Sequence, residues 1–291
     1  MSILITGSGT LVGKSISSYL SSKFKIISTY RSTFPYNLSK LKNIKIKKLD
    51  LEKEIKLNIK FNSLIHCASA IPDYKISKKK YFQVNIYGFR KILKLCKKNN
   101  VKYIVLLSTV SVYGKIKNHS VNEKTPIKVK EKDDPYGFSK SIMEKDLINY
   151  AKKEKIKFVI LRLPAVIGKN SDHNFLSNLI KNIIFHNKKS FNLKNSNFKL
   201  NNFVHTKTLS KIIDYCIKKN IEGIFILGSK NPLKFKNIIK KISFYKKIKV
   251  DYENDNSAFN IDIKKALHFK LPVNKTTNEV SLFLEENFNK K

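Results

Sequence analysis

The sequence predicts an α/β fold, a doubly wound parallel sheet with a smaller C-terminal lobe, on three observations. Short β-branched runs alternate with longer stretches of helical period over roughly the first 165 residues, the pattern of βαβ units. The first of those runs passes directly into a glycine-rich turn, Thr6–Gly13. After Pro164 the alternation loosens and Asn- and Lys-rich segments take over.

The elements follow in order. Ile3–Thr6 reads as the first strand and Gly13–Ser22 as the first helix. Lys25–Tyr30, Ile44–Leu49 and Ser63–Cys67 are the next strands, each a short apolar run bounded by polar residues. Lys79–Asn99 places Phe82, Ile86, Phe89, Leu93 and Cys96 at steps of three and four, one face of an amphipathic helix. Tyr103–Ser108 is a fifth strand, Tyr136–Lys152 a second long helix and Phe158–Leu161 a sixth strand. In the C-terminal part only a strand at Gly223–Leu227, returning to the main sheet, and a helix near Asn278–Asn287 are legible.

Composition narrows the class. A chain of 291 residues, 42% hydrophobic, can fill a substantial core. Met1 runs into Ile3-Leu4-Ile5 without the basic and long apolar regions of a secretion signal. Lys or Asn interrupts every apolar run before it reaches membrane-spanning length. A cytoplasmic protein without a membrane partner is the expectation. Cys67, Cys96 and Cys216 lie far apart in apolar stretches, which suits reduced core thiols and no metal site. The formal charge of +38 suggests a nucleic-acid partner. Lysines are spread along the whole chain, however, alongside an excess of Ile and Asn, the mark of A+T-biased coding with solvated lysines. No nucleic-acid partner is expected, although the positive field would concentrate anionic small molecules.

Three motifs carry chemistry. In Thr6–Gly13 the glycines permit a tight turn and let backbone amides approach a pyrophosphate at a helix N-terminus; such turns also serve packing alone. The next strand ends in Tyr30-Arg31-Ser32, with no acid for a ribose hydroxyl. An arginine there suits the extra phosphate of NADP, the alternative being a surface arginine. Asp50 stands after the third strand, at the sheet edge near an adenine or as a helix cap. The third motif is Tyr136-Gly-Phe-Ser-Lys140, after Pro135 at the start of a helix. Four residues apart, phenol and ammonium share a helical face, so the lysine would lower the tyrosine's pKa. Ser108-Thr109, at the end of the fifth strand, offers a hydroxyl for the substrate oxygen.

With these motifs the chain resembles the extended short-chain dehydrogenase/reductase family, also called the NAD-dependent epimerase/dehydratase family. Further phrases of that family recur in order: LIHCASA (Leu64–Ala70), VNIYG (Val84–Gly88), VKYIVLLSTVSVYG (Val101–Gly114), LRLPAVIG (Leu161–Gly168), FVHT (Phe203–Thr206) and GIFILGS (Gly223–Ser229). The resemblance implies a Rossmann-type dinucleotide-binding domain over residues 1–164 and a substrate-binding lobe over most of 165–291. It assigns catalysis to Tyr136 as acid/base, Lys140 on the nicotinamide ribose and Thr109 on the carbonyl. It assigns the dinucleotide to Thr6, Gly7, Gly9, Thr10, Leu11, Val12, Gly13, Tyr30, Arg31, Ser32, Asp50 and Leu51. Cys67, Ala68, Ser69, Asn85, Ser108, Lys140 and Pro164 complete that set. His66 and His205 fall at structural positions of the family rather than catalytic ones. A homodimer through the two long helices is also implied.

The departures refine the expectation. Thr10 stands where the family has glycine, with Gly9 one place early. Val110-Ser111 replace the Asp-Glu pair of the dehydratases, so dehydration is not expected. Ala165 and Asn201 replace an Asn and an Arg that contact the nucleotide in uridylyl-sugar epimerases. Arg31 favours NADP over NAD, and NADPH is a cellular reductant. The expected activity is therefore a ketoreductase acting on a nucleotide-linked keto-deoxy-sugar. The alternative is a nucleotide-sugar epimerase with tightly held NAD. A non-catalytic member of the fold is the reading of a different class, opposed by the presence of both Tyr136 and Lys140.

Overall fold

A computed structural model of the chain describes residues 1–73, 76–116, 120–172, 174–184, 186, 190–194, 198–253 and 259–288. By its internal contacts the chain divides into two compact units. The first comprises Met1–Lys115, Thr125–Arg162 and Ser210–Phe225; the second comprises Ile116–Lys124, Leu163–Leu209 and Ile226–Lys291. The sequence reading places a boundary after residue 164, with a strand near 223–227 returning to the main sheet. The segment from Ser210 to Phe225 lies with the first unit because its helix buries Ile212, Ile213, Cys216 and Ile217.

In chain order the elements begin with β1 (Ser2–Thr6), α1 (Leu11–Ser21), β2 (Lys25–Tyr30), α2 (Tyr36–Ser39), β3 (Ile44–Lys48) and β4 (Ser63–His66). A long helical run follows: α3 (Lys78–Tyr81), a π-helical stretch Phe82–Tyr87, and α4 (Gly88–Lys98). Next come β5 (Tyr103–Thr109), a 3-10 turn Val110–Tyr113, β6 (Ser120–Val121), α5 (Pro135–Glu154) and β7 (Lys157–Leu163). The remaining elements are β8 (Ala165–Ile167), α6 (Phe175–Ile184), β9 (Ser190–Lys194), β10 (Lys199–Leu200), β11 (Phe203–His205), α7 (Thr206–Lys218) and β12 (Gly223–Ile226). They end with β13 (Leu233–Lys234), α8 (Phe235–Tyr245), β14 (Lys249–Glu253), β15 (Asn260–Ile261), α9 (Lys264–His268) and α10 (Thr276–Phe288).

Seven strands form the main sheet in the order β12-β7-β5-β4-β1-β2-β3, with β3–β2, β2–β1, β1–β4 and β4–β5 paired in parallel. The direction of winding reverses between β1 and β4, and in such sheets ligands bind beyond the carboxyl ends of the strands at that point. The expected doubly wound sheet is present. Leu4, Leu64, Ile104 and Ile160 supply its core from successive strands. They meet Phe89, Ile92 and Cys96 of α4, and Met143, Leu147 and Ala151 of α5, which recur every four residues along one face.

One expected helix differs locally. Within the run read as Lys79–Asn99, the amide of Gly88 donates to the carbonyl of Gln83, five residues back. The widened turn buries Val84, Asn85 and Ile86 in succession, which a regular α-helical stripe does not do.

The second unit gathers short strand pairs and helices. β8 and β11, β9 and β14, and β6 and β15 pair in parallel, and β10 pairs with β13 in antiparallel. Its helices α6, α8 and α10 each bury an apolar stripe: Leu176, Ile180 and Ile183; Phe235, Ile238 and Ile242; Val280, Phe283 and Leu284. Among the described residues no helix is long and apolar enough to cross a membrane.

Candidate active site

The glycine-rich turn owes its shape to two positions. Gly7 has φ +78, a backbone conformation that side chains disfavour. At Gly13 a Cβ would lie 2.4 Å from the carbonyl oxygen of Gly7, so α1 can meet the turn only without a side chain there. Thr10, in the place of the family's glycine, caps α1 from an extended conformation, φ −93 and ψ 163. Its Oγ1 donates to the carbonyl of Gly7 at 2.8 Å and accepts from the amide of Gly13 at 3.3 Å. No positive φ is needed at this position, so the substitution leaves the turn intact. Leu11 and Val12 form the first turn of α1, where backbone amides and the helix dipole favour an anion.

Thr6 organises the neighbouring strand ends. Its Oγ1 accepts from the amides of Cys67 and Ala68, at 3.1 and 3.2 Å, and lies 3.0 Å from Nδ1 of His66. Its one proton therefore goes to Nδ1, which leaves the His66 proton on Nε2, buried and without a partner among the described residues. Burial first, and the Lys140 ammonium second, hold the His66 pKa down at about 3. His66 is thus a neutral structural group. Its folded pKa lies below its unfolded value, so its contribution to stability is complete above about pH 6.5 and is lost as the pH falls toward about 3. At about pH 4 the loss amounts to roughly 3 kcal/mol. Urea unfolding of wild type and His66→Gln at neutral pH and at about pH 4 should show the smaller acid loss in the variant.

Around this turn lies a cavity of about 360 Å³, lined by Gly7, Gly9, Thr10, Tyr30, Arg31, Ser32, Asp50, Leu51, Ala68 and Ser69. All of these are sequence-predicted positions, brought together because the carboxyl ends of β1, β2, β3 and β4 converge there. Thr29, Thr33, Leu49, Ala70, Ile71, Ile76, Lys80 and Val84 also line it and were not expected. Their signal is positional, since most directly flank the predicted strand ends. Asp50 accepts from the amide of Glu52 at 3.0 Å, a turn rather than a helix cap.

Two expected cofactor contacts are otherwise engaged. Asn85 is fully buried: Nδ2 donates to the carbonyl of Ala70 at 3.1 Å and to Ser139 Oγ at 2.8 Å. Its Oδ1 accepts from the amide of Ala70 at 2.7 Å and from Ser69 Oγ at 3.0 Å. It therefore staples the Ser69–Ala70 wall to α5, with no bonding capacity left for a ligand. Ser108 Oγ donates to Glu144 Oε1 at 2.5 Å, and Glu144 is also the partner of Arg162 at 2.7 Å. Arg162 Nη1 donates to the hydroxyl of Tyr113 at 3.0 Å, closing a buried network that joins α5, β5 and β7. Sequence reasoning missed this network because Glu144 and Arg162 sit on different elements.

The remaining predicted chemistry assembles at the start of α5. Asp134 caps the helix by accepting from the amide of Gly137 at 2.8 Å, and Pro135 occupies the first turn. Tyr136 is half-buried with Thr109 near it, and Thr109 Oγ1 donates to Ser111 Oγ at 3.3 Å and accepts from the amide of Ser111 at 3.2 Å. Lys140, one turn on, is 3% exposed. Burial lowers its pKa to about 8, against the opposing pull of Glu144. Burial likewise pushes the Tyr136 phenol up, with Thr109 pulling the other way. The expected lowering of Tyr136 by Lys140 is not found: desolvation of the phenol dominates, and Lys140 is not among the groups that act on it. Cys67 stays a thiol, raised by burial to about 12.

The residues present fit a dinucleotide. The cavity has a glycine floor, a helix N-terminus faces the turn, and at the start of α5 Lys140 lies buried one turn along from Tyr136. Among the described residues no group of His, Cys, Asp and Glu could hold a metal ion.

Other expected positions belong to the second unit. Pro164 lies between β7 and β8. Asn201 donates to the carbonyls of Ser229 and Ile261, at 3.2 and 2.8 Å, and accepts from the amide of Ile261 at 2.8 Å. It is a buried backbone staple in the place of a nucleotide-contacting arginine. His205 pairs with Glu286 at 3.1 Å, and Glu286 with Lys207 at 2.7 Å, a structural cluster.

The sequence profile of the NAD dependent epimerase/dehydratase family matches residues 3–228. A UDP-glucose 4-epimerase of Lactobacillus helveticus is 32% identical over 133 residues, 43% of this chain and 39% of that protein. A dTDP-D-glucose 4,6-dehydratase of Dictyostelium discoideum is 25% identical over 266 residues, 82% of this chain and 61% of that protein. The chain thus matches less than two thirds of the length of either relative. Among solved structures, a UDP-glucuronic acid 4-epimerase from Bacillus cereus, determined with NAD, superposes with a TM-score of 0.81 at 22% identity, covering 99% of this chain and 95% of that one. This likeness shows the fold.

Proposed function

The chain belongs to the NAD dependent epimerase/dehydratase family, and from that premise we propose that it is a nucleotide-sugar epimerase. It would invert one hydroxyl-bearing carbon by oxidation and re-reduction with a bound nicotinamide dinucleotide. The observation that carries this reading is Tyr136 at the start of α5 near Thr109, with Lys140 buried one turn on. A UDP-linked hexose is the substrate class, by analogy with the Lactobacillus relative.

The bound nicotinamide would accept and return hydride. Thr109 would orient the sugar hydroxyl, and Tyr136 would take its proton on oxidation and restore it on re-reduction. Lys140 would hold the nicotinamide ribose and favour the phenolate. The amides of Leu11 and Val12 would hold the pyrophosphate, Asp50 and Leu51 the adenine, and Tyr30, Arg31 and Ser32 the adenosine ribose. Cys67, Ala68 and Ser69 would wall the channel, and the second unit, with Pro164, would serve the substrate. Val110-Ser111, in place of an acidic pair, argue against dehydration. Homodimer formation through the long helices belongs to the same reading.

An NADP-dependent ketoreductase is the second reading, favoured by Arg31 and by the lack of an acid across Tyr30–Thr33. The relatives favour the epimerase. Incubating the protein with UDP-glucose and a trace of NAD separates the two. The expected result is the C4 epimer by proton NMR, with no net change in reduced cofactor. Stoichiometric loss of NADPH on adding a nucleotide-linked ketosugar would overturn it in favour of the reductase.

A further inference from the structure

We propose that Glu52 is a specificity-determining residue for the dinucleotide: it occupies the cations that a ribose 2′-phosphate needs, and so brings affinities for the phosphorylated and unphosphorylated forms close together. This rests on the reading that the glycine-floored cavity holds a nicotinamide dinucleotide.

A second cavity, of about 680 Å³, shares Arg31, Ser32, Asp50 and Lys80 with the first. Lys48 and Lys53 also line it, so it gathers cations where the adenosine ribose would be. Within that ring Glu52 forms an ion pair with Lys80, and its Oε2 lies 4.0 Å from Arg31 Nη1. The other acids lining this cavity are engaged elsewhere, Asp50 with the amide of Glu52 and Glu54 with Lys56 at 3.2 Å.

The acid is also held in position. Asp50 Oδ1 accepts from the Glu52 amide at 3.0 Å. Lys91 reaches from α4 and donates to the carbonyls of Leu51, Glu52 and Lys53, at 2.8, 3.2 and 2.9 Å. An ammonium shared by three successive carbonyls fixes the backbone that carries the carboxylate. A ribose hydroxyl is neutral and can donate to Glu52. A phosphate monoester carries close to two negative charges near neutrality, so it is repelled by Glu52 and must compete with it for Arg31 and Lys80. Arg31 alone favours NADP; Arg31 with Glu52 accommodates NAD.

The test is isothermal titration of the full chain with NADPH and NADH separately. In wild type the two Kd values should lie within about tenfold of each other. Glu52→Gln should shift their ratio about tenfold toward NADPH, an effect that shrinks with added salt. Arg31→Ala should shift it the opposite way. If both ligands bind and Glu52→Gln leaves the ratio unchanged, the proposal is overturned while the dinucleotide reading stands. A Glu52→Gln protein that binds neither ligand, while wild type binds both, overturns it equally by making Glu52 structural. If wild type binds neither, the dinucleotide reading falls and takes the proposal with it.

Discussion

Tyr136→Phe should lower turnover by about a thousandfold with little change in dinucleotide affinity. A positioned general acid or base contributes on the order of 10²- to 10⁴-fold. Phe keeps the ring that packs 6.1 Å from Tyr81 and loses only the hydroxyl. The phenol is pushed up by burial, so a phenolate depends on a neighbouring cation. Lys140, one turn along α5 and lowered to about 8, is the cation we propose for this. Since the lysine serves while charged, turnover should also fall as the pH rises through about 8. Steady-state kinetics of wild type and variant across neutral to alkaline pH, with dinucleotide binding followed by titration, would measure both effects. Unchanged turnover in the variant would remove Tyr136 from the chemistry.

The second large effect concerns stability. Glu144→Gln should destabilise the protein by about 3–5 kcal/mol, because it leaves the guanidinium of Arg162 buried with its counter-charge removed. Arg162 and Glu144 side chains are 4% and 2% exposed, so water cannot take over the missing interaction. Replacing both, as Glu144→Leu with Arg162→Met, should recover much of the loss, since the desolvation of the pair disappears with it. Urea denaturation of the three proteins would show the recovery. A single variant as stable as wild type would mean that the network contributes nothing to folding.

How much of this was legible in the sequence depended on how local each signal is. The strands β1 to β5 and β7 declare themselves through short β-branched runs, and α4 through its stripe of Phe89, Leu93 and Cys96. α7 carried an equally regular pattern, Leu209, Ile212, Ile213, Cys216 and Ile217, all buried, yet it stood among Asn- and Lys-rich segments and was overlooked. The residues lining the cavity at the glycine-rich turn were legible because a strand's end fixes which residues follow it. The roles of Asn85 and Ser108 were not: one depends on a π-helical turn with no compositional mark, the other on a carboxylate from another element. Likewise, Tyr136 and Lys140 were placed correctly one turn apart, but the balance between burial and charge that sets their protonation required knowing what encloses them.

The position of β3 at the end of the main sheet has a consequence for the protein's behaviour at high concentration. A terminal strand offers unpaired amides and carbonyls onto which another chain could add, the first step toward fibrous aggregation. Here that strand reads Ile-Lys-Ile-Lys-Lys, with Lys45, Lys47 and Lys48 exposed. Two such strands brought side by side would oppose like charges along their length, so the lysines act as gatekeepers against stacking. Replacing them with threonine would keep the strand and remove the repulsion, turning a colloidally inert edge into an adhesive one.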